Sequence, residues 1–86
     1  MKLSLATPEK VVFEGEITSV TAPGTLGYFQ ILEGHAPLLT TLRSGTLTFI
    51  TSDQTHTYTI SGGIFECAHN EIHLLADSLN SQNPVF

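Results

Sequence analysis

Four histidines and one cysteine are the residues of this sequence whose chemistry could bind a metal ion or attack a substrate. They are His35, His56, His69, His73 and Cys67. Imidazole nitrogens and thiolates are good ligands for transition metals, but a site needs several of them converging on one point. A single cysteine cannot form an internal disulfide or a paired-cysteine metal site. Whether these side chains can act together therefore depends on the elements that carry them.

The histidines of the C-terminal half lie in segments where apolar and polar residues alternate, which predicts β-strands. We interpret Asn70-Glu71 as the two-residue loop of a hairpin between two such segments. In that register His69 faces Ile72, so His69 and His73 fall on opposite faces of the sheet. His56 lies one hairpin away, without Asp or Glu at ligand spacing beside it. We therefore expect surface or cross-strand histidines and no metal site.

Two other features resemble parts of enzyme sites but have simpler explanations. A phosphate-binding loop precedes a helix, whereas Ser61-Gly62-Gly63 precedes another alternating segment, which indicates a β-turn that uses glycine for positive φ. Phe65 and Cys67 alternate with Glu66 and Ala68, so Cys67 is expected to be a small core residue rather than a nucleophile. No Ser, His and Asp set and no pair of carboxylates stands out, so the sequence predicts neither catalytic residues nor a cofactor.

The chain has 86 residues, enough for one domain, and a formal net charge of −5. Only three residues are Lys or Arg, and none follows Arg43, which argues against nucleic-acid binding. No apolar run approaches the roughly 20 residues of a membrane-spanning helix, and the first residues lack the apolar stretch of a secretory signal. These features predict a soluble chain of a cytosol-like compartment.

The composition predicts an all-β fold. Val, Ile and Thr supply 22 residues, 12 of them Thr, and β-branched side chains favour strands. Strict alternation over residues 46–49 and 55–60, with turn signals about every ten residues, predicts nine or ten short strands in a β-sandwich or flattened barrel. We place this domain at residues 1–78 and expect residues 79–86 to be a short, frayed tail without a helical hairpin.

The segment Glu33-Gly34-His35-Ala36-Pro37-Leu38-Leu39 has two interpretations from its residues alone. It combines a restricted proline with a histidine and two leucines in a predicted loop. Pro37 could simply stiffen the loop while Leu38 fills the core. Alternatively, the segment could be a partner surface, since loops on rigid scaffolds often carry binding residues.

Four segments in fixed order resemble one known family. They are Gly27-Tyr28-Phe29-Gln30-Ile31-Leu32-Glu33-Gly34-His35-Ala36-Pro37-Leu38-Leu39, Gly45-Thr46-Leu47, Ser61-Gly62-Gly63-Ile64-Phe65-Glu66 and Leu74-Leu75-Ala76-Asp77. They are similar to segments of the ε subunit of rotary ATP synthase, called δ in mitochondria. The resemblance implies a ten-stranded β-sandwich in the central stalk, without catalytic residues or a cofactor. It also implies a peripheral position at the cytoplasmic face of the bacterial cell membrane.

The resemblance further implies two partners, the γ subunit and the ring of membrane c subunits, whose rotation the subunit would couple to ATP synthesis. Carried over position by position, the expected γ-binding residues are His35, Ala36, Pro37, Leu38 and Thr40. The residues expected to face the c ring are Tyr28 and Glu33.

The sequence departs from the family pattern at three places. Gln30 stands where glycine is usual, and Tyr28 stands where many members carry a carboxylate. The chain also stops nine residues after Asp77, where many members continue into a helical hairpin that restrains ATP hydrolysis. We therefore expect assembly and coupling without a helix-mediated, ATP-dependent brake.

Two functions of other classes remain open from the residues alone. A free-standing β-sandwich that binds a small ligand or peptide would need a large apolar pocket, yet only five Phe and two Tyr are available. A cupin-like metal enzyme would need histidines on one face, which the hairpin register opposes. A rotor subunit should co-purify with γ, whereas either alternative should elute alone.

Overall fold

The computed structural model describes residues 1–82, and within this range every regular element is a β-strand. The strands are β1 (Lys2–Ala6), β2 (Val11–Glu16), β3 (Ser19–Gly24), β4 (Gly27–Leu32), β5 (Leu38–Leu42), β6 (Gly45–Ile50), β7 (Thr55–Ile60), β8 (Gly63–Ala68), β9 (Glu71–Ala76) and β10 (Leu79–Ser81). Their residues are rich in β-branched and aromatic side chains, which fit a pleated, half-buried surface. The predicted all-β fold of about ten strands is confirmed.

The strands form two runs of five that face each other. The first layer has the order β4-β3-β6-β7-β10, and the second layer has the order β5-β8-β9-β1-β2. The layers join where Gly24 of β3 pairs with Leu42 of β5. The ring of Phe29, on β4, meets the ring of Phe65, on β8, edge-on at 5.0 Å between centroids. The sheet therefore folds back on itself and encloses one core between its halves.

Alternation along each strand builds that core, because every second side chain points inward. The fully buried large side chains come from both layers. They are Phe49, Phe65, Leu3, Leu5, Ile31, Leu47, Ile60, Ile72, Leu74, Val20 and Pro23. Cys67 is buried among them, which confirms its prediction as a core residue.

The turns gather at two opposite ends of the sandwich. The Thr25 end contains the turns at residues 25–26, 43–44, 61–62 and 77–78, and the Met1 end contains Met1 and residues 17–18, 33–37, 51–54 and 69–70. Hydrogen bonds join neighbouring turns at the Thr25 end, where the Asp77 amide donates to Gly62 at 2.9 Å and the Arg43 amide donates to Pro23 at 2.9 Å. The Thr25 end is thus a connected surface and not a set of separate loops.

The hairpin between β8 and β9 differs from its prediction. Its loop is His69-Asn70 and not Asn70-Glu71, so Ala68 pairs with Glu71. Both loop residues have positive φ, 52° at His69 and 64° at Asn70, as a two-residue type I′ turn requires. Asparagine tolerates this conformation, and Glu71 therefore stays in the ladder. His69 lies in the turn, while the side chain of His73 lies on the exposed outer face.

Two further boundaries differ from what the residues suggest. Pro23-Gly24 is a pair that favours turns, but it ends β3, and Thr25 and Leu26 form the turn instead. The sandwich was expected to end at residue 78, yet Leu79–Ser81 forms β10 and pairs antiparallel with β7. Leu79 packs against the core, which explains why the segment joins the sheet. The rest of the expected tail, residues 83–86, lies outside the described residues.

Candidate interaction surface

The loop from residue 33 to residue 37 connects the two layers and is exposed along its whole length. Gly34 turns the chain with a φ of 85°, and the His35 amide donates a hydrogen bond to the Leu32 carbonyl at 3.1 Å. His35 Nδ1 lies 2.6 Å from the Ala36 carbonyl oxygen, and Pro37 fixes φ before β5 begins. The loop is therefore held by its own local bonds while its side chains remain accessible.

The predicted γ-binding residues divide into two groups in the structure. His35, Ala36 and Pro37 are exposed on the loop. Leu38 and Thr40 are half-buried, because they occupy the inward positions of β5, and Leu38 packs against the core. The outward position between them belongs to Leu39, which is 71% exposed. Sequence reasoning missed Leu39, although alternation with Leu38 pointing inward would have identified it.

The two residues predicted to face the c ring lie at opposite ends of β4. Tyr28 is beside the Thr25 end, and Glu33 begins the loop at the Met1 end. Five residues of extended chain separate them by about 17 Å. They therefore cannot form one local contact, and Glu33 lies instead beside His35.

Tyr28 takes part in a cluster at the Thr25 end. Its hydroxyl accepts a hydrogen bond from the Thr46 amide at 2.9 Å. The Arg43 guanidinium carbon lies 5.6 Å from the centre of the Tyr28 ring, and Arg43 Nε donates to the Gly24 carbonyl at 3.3 Å. A cation over an aromatic ring is attracted by the ring's quadrupole. Tyr28 therefore positions the positive charge of Arg43 at this end.

Leu26 is the most exposed large apolar residue at the Thr25 end. It lies at the tip of the β3–β4 turn, and its side chain is fully accessible. The turn itself is well anchored, because the Thr25 amide donates to Thr41 at 3.1 Å and the two threonine hydroxyls lie 2.8 Å apart. A rigid turn thus presents an apolar side chain to solvent. The residues alone did not indicate this position, because the pair that favours a turn, Pro23-Gly24, comes just before it.

The residues with reactive side chains do not form a chemical site in the part of the chain described. Burial raises the pKa of the Cys67 thiol, which keeps it protonated and a poor nucleophile. His56 stacks on Phe49, with ring centroids 4.8 Å apart, and so belongs to an aromatic cluster. Within residues 1–82, no three His, Cys, Asp or Glu side chains come together as metal ligands would.

The same range contains no helix that could cross a lipid bilayer.

Two curated relatives show how far the similarity extends. The ATP synthase epsilon chain of Chlorobium limicola is 46% identical over 80 residues, which cover 92% of this chain and 91% of that relative. The ATP synthase epsilon chain of Leptospira interrogans (serovar Lai) is 38% identical over 77 residues. That match covers 90% of this chain but only 61% of the longer relative.

Two solved structures share the fold. A chain of the Euglena gracilis mitochondrial ATP synthase, from a structure with OSCP, F1 and the c-ring, superposes with a TM-score of 0.88 at 18% identity. That alignment covers 98% of this chain and 54% of the Euglena chain. A chain of the Tetrahymena thermophila mitochondrial ATP synthase, from a structure of the central stalk and c-ring, gives a TM-score of 0.79 at 22% identity. That alignment covers 93% of this chain and 65% of the Tetrahymena chain.

A family profile agrees with these comparisons. Residues 1–82 match the family described as ATP synthase, Delta/Epsilon chain, beta-sandwich domain. The match includes all ten strands and both ends of the sandwich. This chain therefore belongs to the delta/epsilon chain family of ATP synthase subunits.

Proposed function

We propose that this chain is a non-catalytic subunit of the central stalk of a proton-translocating ATP synthase, where it couples rotation of the c ring to the γ subunit. The observation that carries the proposal is the match to the delta/epsilon family over residues 1–82, together with 46% identity to an ATP synthase epsilon chain of nearly the same length. ATP synthesis then takes place on other subunits, and this chain holds no cofactor. It lies peripherally, at the cytoplasmic face of the bacterial membrane.

The two ends of the sandwich suggest how the partners are divided. The loop at the Met1 end presents His35, Ala36 and Pro37, and we assign it to γ. Leu38 and Thr40, at the inward positions of β5, follow the loop and support it. Glu33 belongs to the same contact, since it adjoins His35 and lies far from Tyr28. The Thr25 end, with Tyr28, is assigned to the c ring. One molecule thereby contacts γ and the ring through opposite ends.

The architecture suits a part that transmits torque. Two packed layers with a close-packed core have low compressibility, so a force applied at one end is transmitted to the other with little deformation. The hydrogen bonds between turns at the Thr25 end keep that end rigid as well. A loop stiffened by proline also loses little conformational entropy when it binds.

The γ assignment is tested by placing a charge on the loop. His35→Asp adds a carboxylate at the proposed interface, and Gln54→Asp adds one in an exposed turn at the same end but in the first layer. The measurement is affinity for a catalytic subcomplex of α, β and γ, with unfolding by urea as a check on folding. We expect His35→Asp to weaken binding about tenfold or more and Gln54→Asp to change it less than about twofold. Equal affinity of both variants would refute the loop assignment.

A further inference from the structure

Three strands in the described part of the chain, β2, β4 and β10, have a neighbouring strand on one side only. Two of these free edges are protected against further pairing. β10 is only three residues long, and β2 carries the exposed carboxylates of Glu14 and Glu16 and pairs with β1 through an irregular register. β4 has six residues without a charge or a proline, and its pairing with β3 is regular. The edge of β4 is therefore open to another strand.

The register of the β3–β4 hairpin shows which backbone groups lie along this edge. Gly24 and Gly27 pair with each other across the two-residue turn and form the first hydrogen-bonded pair of the hairpin. Because such pairs alternate along an antiparallel ladder, every second residue of β4 directs its N–H and C=O away from β3. These residues are Tyr28, Gln30 and Leu32. The Leu32 carbonyl accepts a hydrogen bond from the His35 amide, and the other groups of these residues face the free edge.

We propose that the occupant of this edge is β4 of a second copy, so that the free chain forms a two-fold symmetric dimer. In an antiparallel pair centred on Gln30, Gln30 faces its own counterpart and Tyr28 faces Leu32 of the other copy. The residues whose backbone groups lie along the edge then all occupy hydrogen-bonded positions of the new ladder. The dimer concerns the chain outside any complex and does not rest on the proposed function.

The side chains of β4 complement themselves in this register. Tyr28 and Leu32 are 52% and 53% exposed on the outer face, and the pairing places each beside the other type across the two-fold axis. On the inner side, the half-buried ring of Phe29 faces Ile31 of the other copy. Cross-strand pairs of aromatic and aliphatic side chains stabilise a sheet, so the same strand can serve as both halves of the contact.

The distribution of charge also permits the dimer. Two copies with a net charge of −5 each repel one another unless their carboxylates lie apart, and no strand of the first layer contains Asp, Glu, Lys or Arg. In the register centred on Gln30, Glu33 of one copy comes opposite Gly27 of the other. Gly27 adjoins Tyr28, whose ring centre lies 5.6 Å from the Arg43 guanidinium carbon. Opposite charges therefore approach each other at both ends of the new ladder.

The structure leaves room for the second copy beside the β3–β4 turn. A Cβ atom added at Gly27 would meet no atom within 4 Å. A depression of about 200 Å³ lies next to it, lined in part by Leu26 and Leu38. The chain that follows Leu32 in the other copy enters this space. The loop of residues 33–37 in one copy therefore lies beside the Thr25 end of the other.

Gln30→Pro tests the edge at its centre. Proline removes the N–H that points away from β3, so it blocks a further strand without removing a bond within the hairpin. Glu14→Pro is the matched control on the edge of β2, where the Ile17 amide bonds to Met1 and the alternation again directs the Glu14 N–H outward. Sedimentation equilibrium of the full-length chain from about 10 µM to about 1 mM covers the range in which small interfaces associate. We expect the unmodified chain to dimerise there, at least about tenfold weaker association for Gln30→Pro, and less than about a twofold change for Glu14→Pro.

Two further sets of variants keep the test decisive if Gln30→Pro fails to fold. Gln30→Lys places two like charges on the two-fold axis and should also weaken the dimer about tenfold, with a smaller effect at high salt. Glu33→Lys and Arg43→Glu each create like charges across the contact and should each weaken it about threefold or more. The double variant restores opposite charges and should return association to within about twofold of the unmodified chain.

The possible outcomes decide the proposal without affecting the proposed function. A chain that stays monomeric at about 1 mM refutes the dimer. A dimer that both Gln30 variants leave unchanged refutes the β4 contact, and one that Glu14→Pro abolishes assigns the contact to β2. If the unmodified chain is monomeric and Gln30→Pro weakens its binding to the subcomplex of α, β and γ, another protein occupies the edge and the second copy is refuted. The His35→Asp comparison tests the γ assignment separately.

Discussion

Gly63 allows a test of how tightly the two central strands of the second layer approach each other. Gly63 pairs with Ala76, and its φ is 155°. A Cβ atom added there would lie 2.2 Å from the Leu75 carbonyl oxygen and 3.0 Å from the Ala76 Cα. Both contacts are with backbone, so no side chain can rotate away to relieve them.

The size of the effect follows from this geometry. Van der Waals contact needs about 3.5 Å, so β8 and β9 would have to separate by roughly 1 Å at this point. Such a shift breaks one or two ladder hydrogen bonds, each worth about 1 kcal/mol, and the backbone strain of alanine at this φ adds about 1 to 3 kcal/mol. Gly63→Ala should therefore lower the free energy of unfolding by about 2 to 5 kcal/mol. Small domains have only about 5 to 15 kcal/mol in total.

Gly34→Ala is the matched control. Gly34 also has positive φ, 85°, but an added Cβ there would meet no atom within 4 Å. Gly34→Ala should lower the free energy of unfolding only by the cost of backbone strain, about 1 kcal/mol. Urea unfolding followed by far-ultraviolet circular dichroism measures both variants. If the two losses agree within about 0.5 kcal/mol, the close approach of β8 to β9 is not what requires glycine, and the reasoning is wrong.

Two further predictions concern the core and the Thr25 end. Burial raises the pKa of Cys67, so the folded state keeps its proton where the unfolded thiol, with a pKa of about 8.5, loses it. Stability should therefore fall as the pH rises through about 8.5, and Cys67→Ala should show a smaller fall in the same urea titrations; equal slopes would contradict this. Leu26→Ser should leave the free energy of unfolding within about 0.5 kcal/mol, since Leu26 is fully exposed, but should reduce co-purification of the c ring with the assembled complex. Unchanged recovery of the ring would contradict the assignment of this end.

The strand content could be predicted because period-2 alternation and β-branched residues act locally. Thr46 to Phe49 and Thr55 to Ile60 alternate without exception, and both fall within strands. The exact positions of turns could be predicted less accurately. Several neighbouring residues can each occupy a turn, and the pairing of distant strands determines which of them do. Leu79 illustrates this, because its position in β10 depends on β7, about twenty residues earlier in the chain.

The candidate site was predictable in part for a related reason. The sequence identified the exposed loop at His35, Ala36 and Pro37, since proline and glycine mark loops. It could not reveal that Tyr28 and Glu33 lie at opposite ends, because that depends on the direction of β4 in the folded sheet. It also could not reveal that the exposed side chains of Leu39, Ile64 and Leu75 lie side by side on the outer face, since they come from three separate strands. Surfaces assembled across strands appear only once the pairing is known.

The parallel pairing of β1 with β9 has a consequence for how the domain folds. Leu3 pairs with Ile72 and Leu5 with Leu74. The first strand therefore takes its place in the second layer beside a strand that is synthesised almost seventy residues later. Before β9 has been synthesised, β1 and β2 form only an isolated hairpin, which is marginally stable in water. The loop closed by this pairing gives the chain a high contact order, and folding should take milliseconds to seconds. A nascent chain therefore gains this stability only after β9 has been made, and then in one cooperative step.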